Sequence, residues 1–161
     1  MPKKIEVKEE VTKKVKQPLF YQALGRRKGA TATVRLHVLG SSKTHMVNDV
    51  EIKAGDILVN GKKIDKYFSG TLAEKAYMEP FRTTNTLGRF AVTAIISGGG
   101  TIGQIGAFIL GTSRALEKVD KEKYRVILKK KGFMTRDPRV KERRKAGNAQ
   151  KARSRKQSPK R

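Results

Sequence analysis

Residues 129–161 of this 161-residue chain set the strongest limit on how it can fold. They hold 15 lysines and arginines against two acids, Asp137 and Glu142, and their larger apolar side chains are Phe133, Met134 and Val140. Such a stretch cannot bury enough apolar surface to offset the entropy of ordering it. It reads as a basic tail, mobile when free and ordered on a partner. The chain as a whole has a net charge of +24, and the tail carries +13 of it. A soluble domain of this size usually carries a charge of about 2–8 in magnitude, so the excess calls for a polyanion that offsets self-repulsion. Solvated helix faces mix signs; this segment does not. It has no Trp or Tyr, so stacking on bases is not its mode. Its cations suit phosphates, which position a chain without reading sequence. Asp137-Pro138 is a helix-start signal, and two turns over 139–146 would end at Gly147. Like charges surround those turns, so the helix is expected only where phosphates neutralise it.

Several classes of function drop out. There is no cysteine, hence no disulfide framework, thiolate metal site or Cys nucleophile. Two histidines, His37 and His45, do not make a zinc site. No apolar run approaches the ~18 residues needed to span a membrane, and residues 1–18 lack a signal-peptide core. A cytoplasmic setting fits. No cofactor, metal or membrane partner is expected.

Residues 1–18 read as a disordered or weakly helical arm, with lysines mixed among Glu6, Glu9 and Glu10. Residues 19–128 are the expected globular domain. The alternation over 31–38 predicts a half-buried strand with Ala32, Val34, Leu36 and Val38 inward and His37 on the polar side, facing solvent or a nucleic acid. Asn60-Gly61 predicts a tight hairpin, because both central residues of that turn need positive φ. The run 90–96 predicts a central strand, apolar on both faces at Ile95. Capping boxes at Thr71-x-x-Glu74 and Thr101-x-x-Gln104 predict helices over 72–77, stopped by Pro80, and from 101 to about 117. Asp120 caps a third helix that Gly132 ends. Strands and helices interleave, so the fold class is α+β, one sheet with helices packed on it.

Gly98-Gly99-Gly100-Thr101-Ile102-Gly103 contains a formal G-x-G-x-x-G after a strand and before a helix. A dinucleotide site needs a further parallel strand ending in an acid about 20 residues on; here Lys118-Val119-Asp120 and another helix follow, and the nucleotide-enzyme reading fails on that context. Two readings of the glycines stay open. Gly98, Gly99, Gly100 and Gln104 could bring backbone N–H groups to RNA phosphates. Alternatively, the ridge Gly103, Ala107, Gly111 and Ala115, at i+4 spacing, only seats the helix closely on the sheet. Walker, serine-hydrolase and H-E-x-x-H patterns are missing, so an enzyme is not expected. A free-standing basic protein coating DNA or RNA is the alternative from composition.

Certain segments carry a resemblance: Gly25-Arg26-Arg27-Lys28; Val59-Asn60-Gly61 with Tyr67-Phe68; Thr86-Leu87-Gly88-Arg89-Phe90; the long pattern from Gly98 through Gln104, Ala107 and Gly111 to Ser113-Arg114-Ala115-Leu116; Lys131-Gly132-Phe133-Met134-Thr135-Arg136-Asp137-Pro138-Arg139; and Ser158-Pro159-Lys160-Arg161. In that order they resemble the family of the ninth protein of the small ribosomal subunit, in its bacterial or organellar form. The resemblance implies a split β-α-β domain like the second domain of ribosomal protein S-five. It implies a structural role in translation, with small-subunit rRNA of the head, neighbouring head proteins and the mRNA-programmed ribosome as partners. Arg26, Arg27, Lys28, Arg89 and Arg114 would dock the domain on rRNA. Lys129, Lys130, Lys131, Arg136 and Arg139 would lead the tail into rRNA, followed by Arg143, Arg144 and Lys145 and then by Lys151, Arg153, Arg155 and Lys156. Lys160 and Arg161 would reach the anticodon stem-loop of the P-site tRNA. The stretch 41–55 and the arm 1–18 are longer than the family pattern.

Overall fold

The computed structural model describes residues 20–39, 44–47 and 50–153. The arm 1–18, parts of the 41–55 stretch, and Arg155, Lys156, Lys160 and Arg161 lie outside the described residues.

Two long strands, β1 (Phe20–Arg27) and β2 (Ala30–His37), form an antiparallel hairpin across Lys28-Gly29. A two-stranded ribbon follows, β3 (Thr44–Val47) with β4 (Val50–Lys53). Next come β5 (Ile57–Val59), β6 (Lys62–Lys63), α1 (Ile64–Tyr67), α2 (Thr71–Thr83), β7 (Ala91–Ser97), α3 (Thr101–Val119) and α4 (Lys121–Lys130). The main sheet runs β1-β2-β7-β5-β6, with β5 and β7 parallel and the other pairs antiparallel. The fold is a single mixed α+β domain, and β7 is central as its sequence predicts.

One face of the sheet makes the core. Ala32, Val34, Leu36, Val92, Ala94 and Ile96 point into it and meet Phe68, Tyr77, Phe81, Phe108 and Leu116 from the helices. Among the described residues no helix lies on the other face. There Ile95 is 60% exposed, so the expectation of an apolar environment on both sides of β7 is corrected: the helices pack on one side only. His37 goes the other way. It is 4% exposed, its Nε2 lies 2.9 Å from the Thr93 hydroxyl, and the Phe20 ring packs beside it. The polar partner on β7 makes burial of this imidazole tolerable, since a buried polar group must be hydrogen-bonded. Val38 lies past the end of β2 and is exposed.

The helix ends differ from the capping boxes. Gly70 and Gly100 are the N-caps of α2 and α3, with no side-chain cap; Thr71 and Thr101 sit one place inside. Pro80 lies within α2. An interior proline costs about 3 kcal/mol in an isolated helix, but Tyr77, Pro80 and Phe81 are buried together here, and that packing carries the helix on to Thr83. Asp120 does cap α4, its carboxylate accepting the Lys123 N–H at 3.1 Å. At the other end Gly132 takes φ +79, its N–H bonds the Lys129 carbonyl and the Phe133 N–H bonds the Leu128 carbonyl. This double closure satisfies carbonyls that the helix leaves open and needs a left-handed residue, hence glycine. It also turns Phe133 and Met134 back onto the core. The boundary at 128, read from charge, therefore falls inside α4.

Candidate nucleic-acid interface

The Gly-Arg-Arg-Lys turn and the glycine turn form one corner of the molecule. A Cβ on Gly98 would lie 2.5 Å from the Gly29 carbonyl oxygen, and one on Gly99 would lie 2.9 Å from the Ala30 Cβ. The two turns touch at backbone distance, which only glycine permits. The same economy seats α3. A Cβ on Gly25 would lie 1.9 Å from the Ala107 carbonyl oxygen, and one on Gly111 would lie 2.8 Å from Val34. The small-residue ridge thus lets α3 lie against β1 and β2. Gly100, by contrast, has open space around its would-be Cβ and leads into the exposed start of α3.

Gln104 works within the domain. Its side chain donates to the Gly98 carbonyl at 3.1 Å and accepts from the Tyr67 hydroxyl at 3.3 Å. Tyr67 is in turn reached by the Asn60 carboxamide at 3.4 Å. Asn60 also donates to the Ile96 carbonyl and accepts the Ile96 N–H, each at 2.9 Å. Its side chain extends the β5–β7 ladder where the backbone turns away. Three sequence motifs that look separate are one polar network, and it holds the glycine turn in place.

The predicted cations take distinct stations. Arg26 is exposed on the helix-free side of β1, and Lys28 is exposed at the tip of the turn with φ +52. Arg27 points to the helix side. Its stem lies against Gly106, where a Cβ would come within 2.2 Å of the Arg27 Cδ, and its Nη2 donates to Asp137 Oδ2 at 2.9 Å. Arg114 donates to the Leu24 carbonyl at 2.9 Å. Lys118, one turn later, donates to the Gln22 carbonyl at 2.6 Å. Together they close the outer edge of β1, an edge that would otherwise offer unpaired backbone groups to another strand. Lys118 went unrecognised in the sequence, although its i+4 spacing from Arg114 puts both on one side of α3. Arg89 lies at the far end of β7 from Gly98. It is exposed, its Nη1 donates to the Tyr124 hydroxyl at 3.1 Å, and its guanidinium lies over the Phe90 ring.

Lys129 and Lys130 are exposed in the last turn of α4, where cations suit the helix dipole. Beyond the Phe133 anchor, Asp137 grips both Arg27 and Arg139, whose Nε, Nη2 and backbone N–H all donate to it. Those bonds, the Arg139 side chain first, hold the Asp137 carboxyl well below the usual carboxylate range. Asp137 does not start a helix: residues 138–145 are irregular. Arg136, Arg139, Arg143, Arg144, Lys145 and Lys151 are exposed, and a turn at 145–151 is closed by Lys145 N–H to the Lys151 carbonyl at 3.2 Å. Arg153 pairs with Glu142 at 3.1 Å. The helix expected over 139–146 is not found.

A cleft of about 700 Å³ separates the α1–α2 loop from α3. Phe68, Leu72, Ile102, Ile105 and Ile109 line it, and among the described residues Arg27 is its one cation, with no carboxylate or histidine. Among the described residues no cluster of His, Asp and Glu could hold a metal ion, and no helix is long and apolar enough to cross a membrane.

Comparison with known proteins fits this corner and its tail. The family model described as Ribosomal protein S9/S16 matches residues 25–161. "Small ribosomal subunit protein uS9" of Leifsonia xyli is 44% identical over 125 residues, 78% of this chain and 66% of the relative. The protein of the same description from Cutibacterium acnes is 44% identical over 125 residues, covering 78% and 64%. That of Arthrobacter sp. is 43% identical, covering 78% and 66%. The match thus spans just under two thirds of the length of these relatives.

Proposed function

Since the chain belongs to the Ribosomal protein S9/S16 family, we propose that it is a structural constituent of the small ribosomal subunit, working within cytoplasmic ribosomes and not as an enzyme. In this reading the folded domain docks on rRNA of the subunit head, beside neighbouring head proteins. The tail threads into rRNA toward the decoding region, where Lys160 and Arg161 meet the anticodon stem-loop of the P-site tRNA.

The observation that carries the reading is the contrast between tail root and tail. Residues up to Asp137 are tied to the core by Phe133, Met134 and the Arg27 ion pair. From Pro138 to Lys145 every residue is exposed, five of the eight are basic, and no regular structure forms. A chain anchored firmly at its root and studded with exposed cations beyond it is built to be ordered by phosphates.

The test is co-sedimentation of the full chain with small subunits from cell extract at moderate salt. Stoichiometric recovery is expected. Recovery with bulk DNA instead would favour a free-standing nucleic-acid-binding protein. Removing Lys160 and Arg161 is expected to lower P-site tRNA affinity on reconstituted subunits; unchanged affinity would exclude a tRNA role for those two residues.

A further inference from the structure

The helix-free face of the main sheet is large and in register. Leu24, Thr33 and Ile95 form one row across β1, β2 and β7, and Arg26, Thr31 and Ser97 form the next. Leu24 is 37% exposed and Ile95 60%. In the row on the other side, Arg35 is fixed in place: its Nε donates to Gln22 at 3.0 Å and its guanidinium lies 5.5 Å from the centre of the Phe20 ring.

The charge on this face is one-sided. Within β1, β2 and β7 this face carries none of the ten acids among the described residues, and at the β5 edge Asp56 is paired with Lys63. Glu74, Glu79, Glu117 and Glu122 are all on the helices, and the rest are on α1, the ribbon and the stretch leading to β5, the start of α4 and the tail. Nor is it a protein-docking patch of the usual kind, because Thr33 separates Leu24 from Ile95 and no contiguous apolar area results. What it offers is a lattice of hydroxyls flanked by guanidinium groups, with isolated apolar side chains between. Hydroxyl and guanidinium donors match phosphate and 2′-hydroxyl oxygens, and apolar side chains match sugar and base faces.

We propose that this open sheet face, centred on Thr33 between Arg26 and Arg35, is the surface by which the domain lies on RNA. The proposal rests on the ribosomal reading above and adds a direction to it: helices away from the RNA, sheet toward it. The Gly-Arg-Arg-Lys turn and the glycine turn stand at the margin of the face, next to Arg26, Thr31 and Ser97, so Lys28 extends the same surface.

Full-length variants test it by filter binding to naked small-subunit rRNA. Ile95→Glu puts an acid on the open face, and Val126→Glu puts the same acid on an exposed site of α4, 69% exposed. Ile95→Glu is expected to weaken binding about tenfold or more, and Val126→Glu by less than about threefold. Arg26→Gln, at the end of β1, is a second probe and is expected to lower the salt-dependence slope by about one. Circular dichroism shows whether each variant is folded. Equal weakening by Ile95→Glu and Val126→Glu, or rRNA binding unchanged by both Ile95→Glu and Arg26→Gln, would overturn the proposal. So would an Ile95→Glu chain that binds rRNA normally yet fails to join small subunits, which would make the face a protein contact. If the unmodified chain fails to bind small-subunit rRNA, it is the ribosomal reading that falls.

Discussion

Arg27 and Asp137 stand 110 residues apart in sequence and 2.9 Å apart in space. Their ion pair ties the turn of the first hairpin to the root of the basic tail. The Gly106 gap accommodates the arginine stem, and Asp137 Oδ2 accepts from both Arg27 and Arg139 while its Oδ1 accepts from Arg139. One acid thereby sets where the eleven basic residues that follow it begin their path. Asp137→Asn should loosen this root while leaving the domain folded. Limited trypsin digestion is expected to cut after Arg136 and Arg139 severalfold faster in the variant, and unchanged rates would exclude the tie. The pH dependence has a definite sign. The folded protein holds the Asp137 carboxyl below its ordinary value of 3.8, so the tie is fully present above that value and is lost only as pH falls below it. Between pH 7 and 5 the digestion pattern should not change.

The glycine ridge predicts a steep contrast between neighbours. At Gly25 a methyl group would meet the backbone of α3 at 1.9 Å, while at Gly29 it would meet nothing within 4 Å. Gly25→Ala should cost about 3 kcal/mol or more, because neither backbone can give way. Gly29→Ala should fall within about 0.5 kcal/mol of the parent. Urea denaturation of the two variants measures the difference.

Asn60 is the second point of high leverage. Removing its carboxamide leaves the Ile96 N–H and carbonyl without their partners. Asn60→Ala is expected to cost about 2 kcal/mol and to unsettle Tyr67 and Gln104, loosening the glycine turn. Amide hydrogen exchange at Ile96 reads this directly and should accelerate in the variant.

Truncations locate the domain's end. A chain ending at residue 139 keeps Phe133, Met134 and the Arg27 tie, and should melt within a few degrees of the parent. A chain ending at 128 loses the last turn of α4 and the Phe133 anchor, which is partly buried against the core, with a cost of about 1–2 kcal/mol, below that of a fully buried side chain. Equal melting temperatures would show that Phe133 contributes nothing to the core.

Much of this was legible in the sequence, for physical reasons. The Asn60-Gly61 turn, the Asp120 cap and the Gly132 stop depend on single residues with special backbone or capping chemistry, and each is found in place. Period-two alternation put Ala32, Val34 and Leu36 in the core. Other features were not local. His37 reads as polar and outward until Thr93 arrives beside it from a strand 56 residues on. The Thr-x-x-Glu and Thr-x-x-Gln patterns look like capping boxes, but the glycine before each takes the cap, and Gln104 is drawn instead to Gly98 and Tyr67. Arg27 and Arg114 read as free cations for RNA; tertiary structure gives one to Asp137 and the other to the edge of β1. Charge alone could not show this, because it does not tell which cations the fold itself employs.

The central claim is that a folded domain and a phosphate-seeking tail bind RNA as separate parts. It is tested most directly by measuring affinity for small-subunit rRNA between 50 and 200 mM salt, for the full chain and for a chain ending at residue 139. If the tail neutralises about eight phosphates, it contributes a loss of roughly 10⁴ over that range. The account predicts a steep slope for the full chain and a much shallower, still measurable one for the shortened chain. Identical slopes would contradict it, because the tail would then make no phosphate contacts of its own.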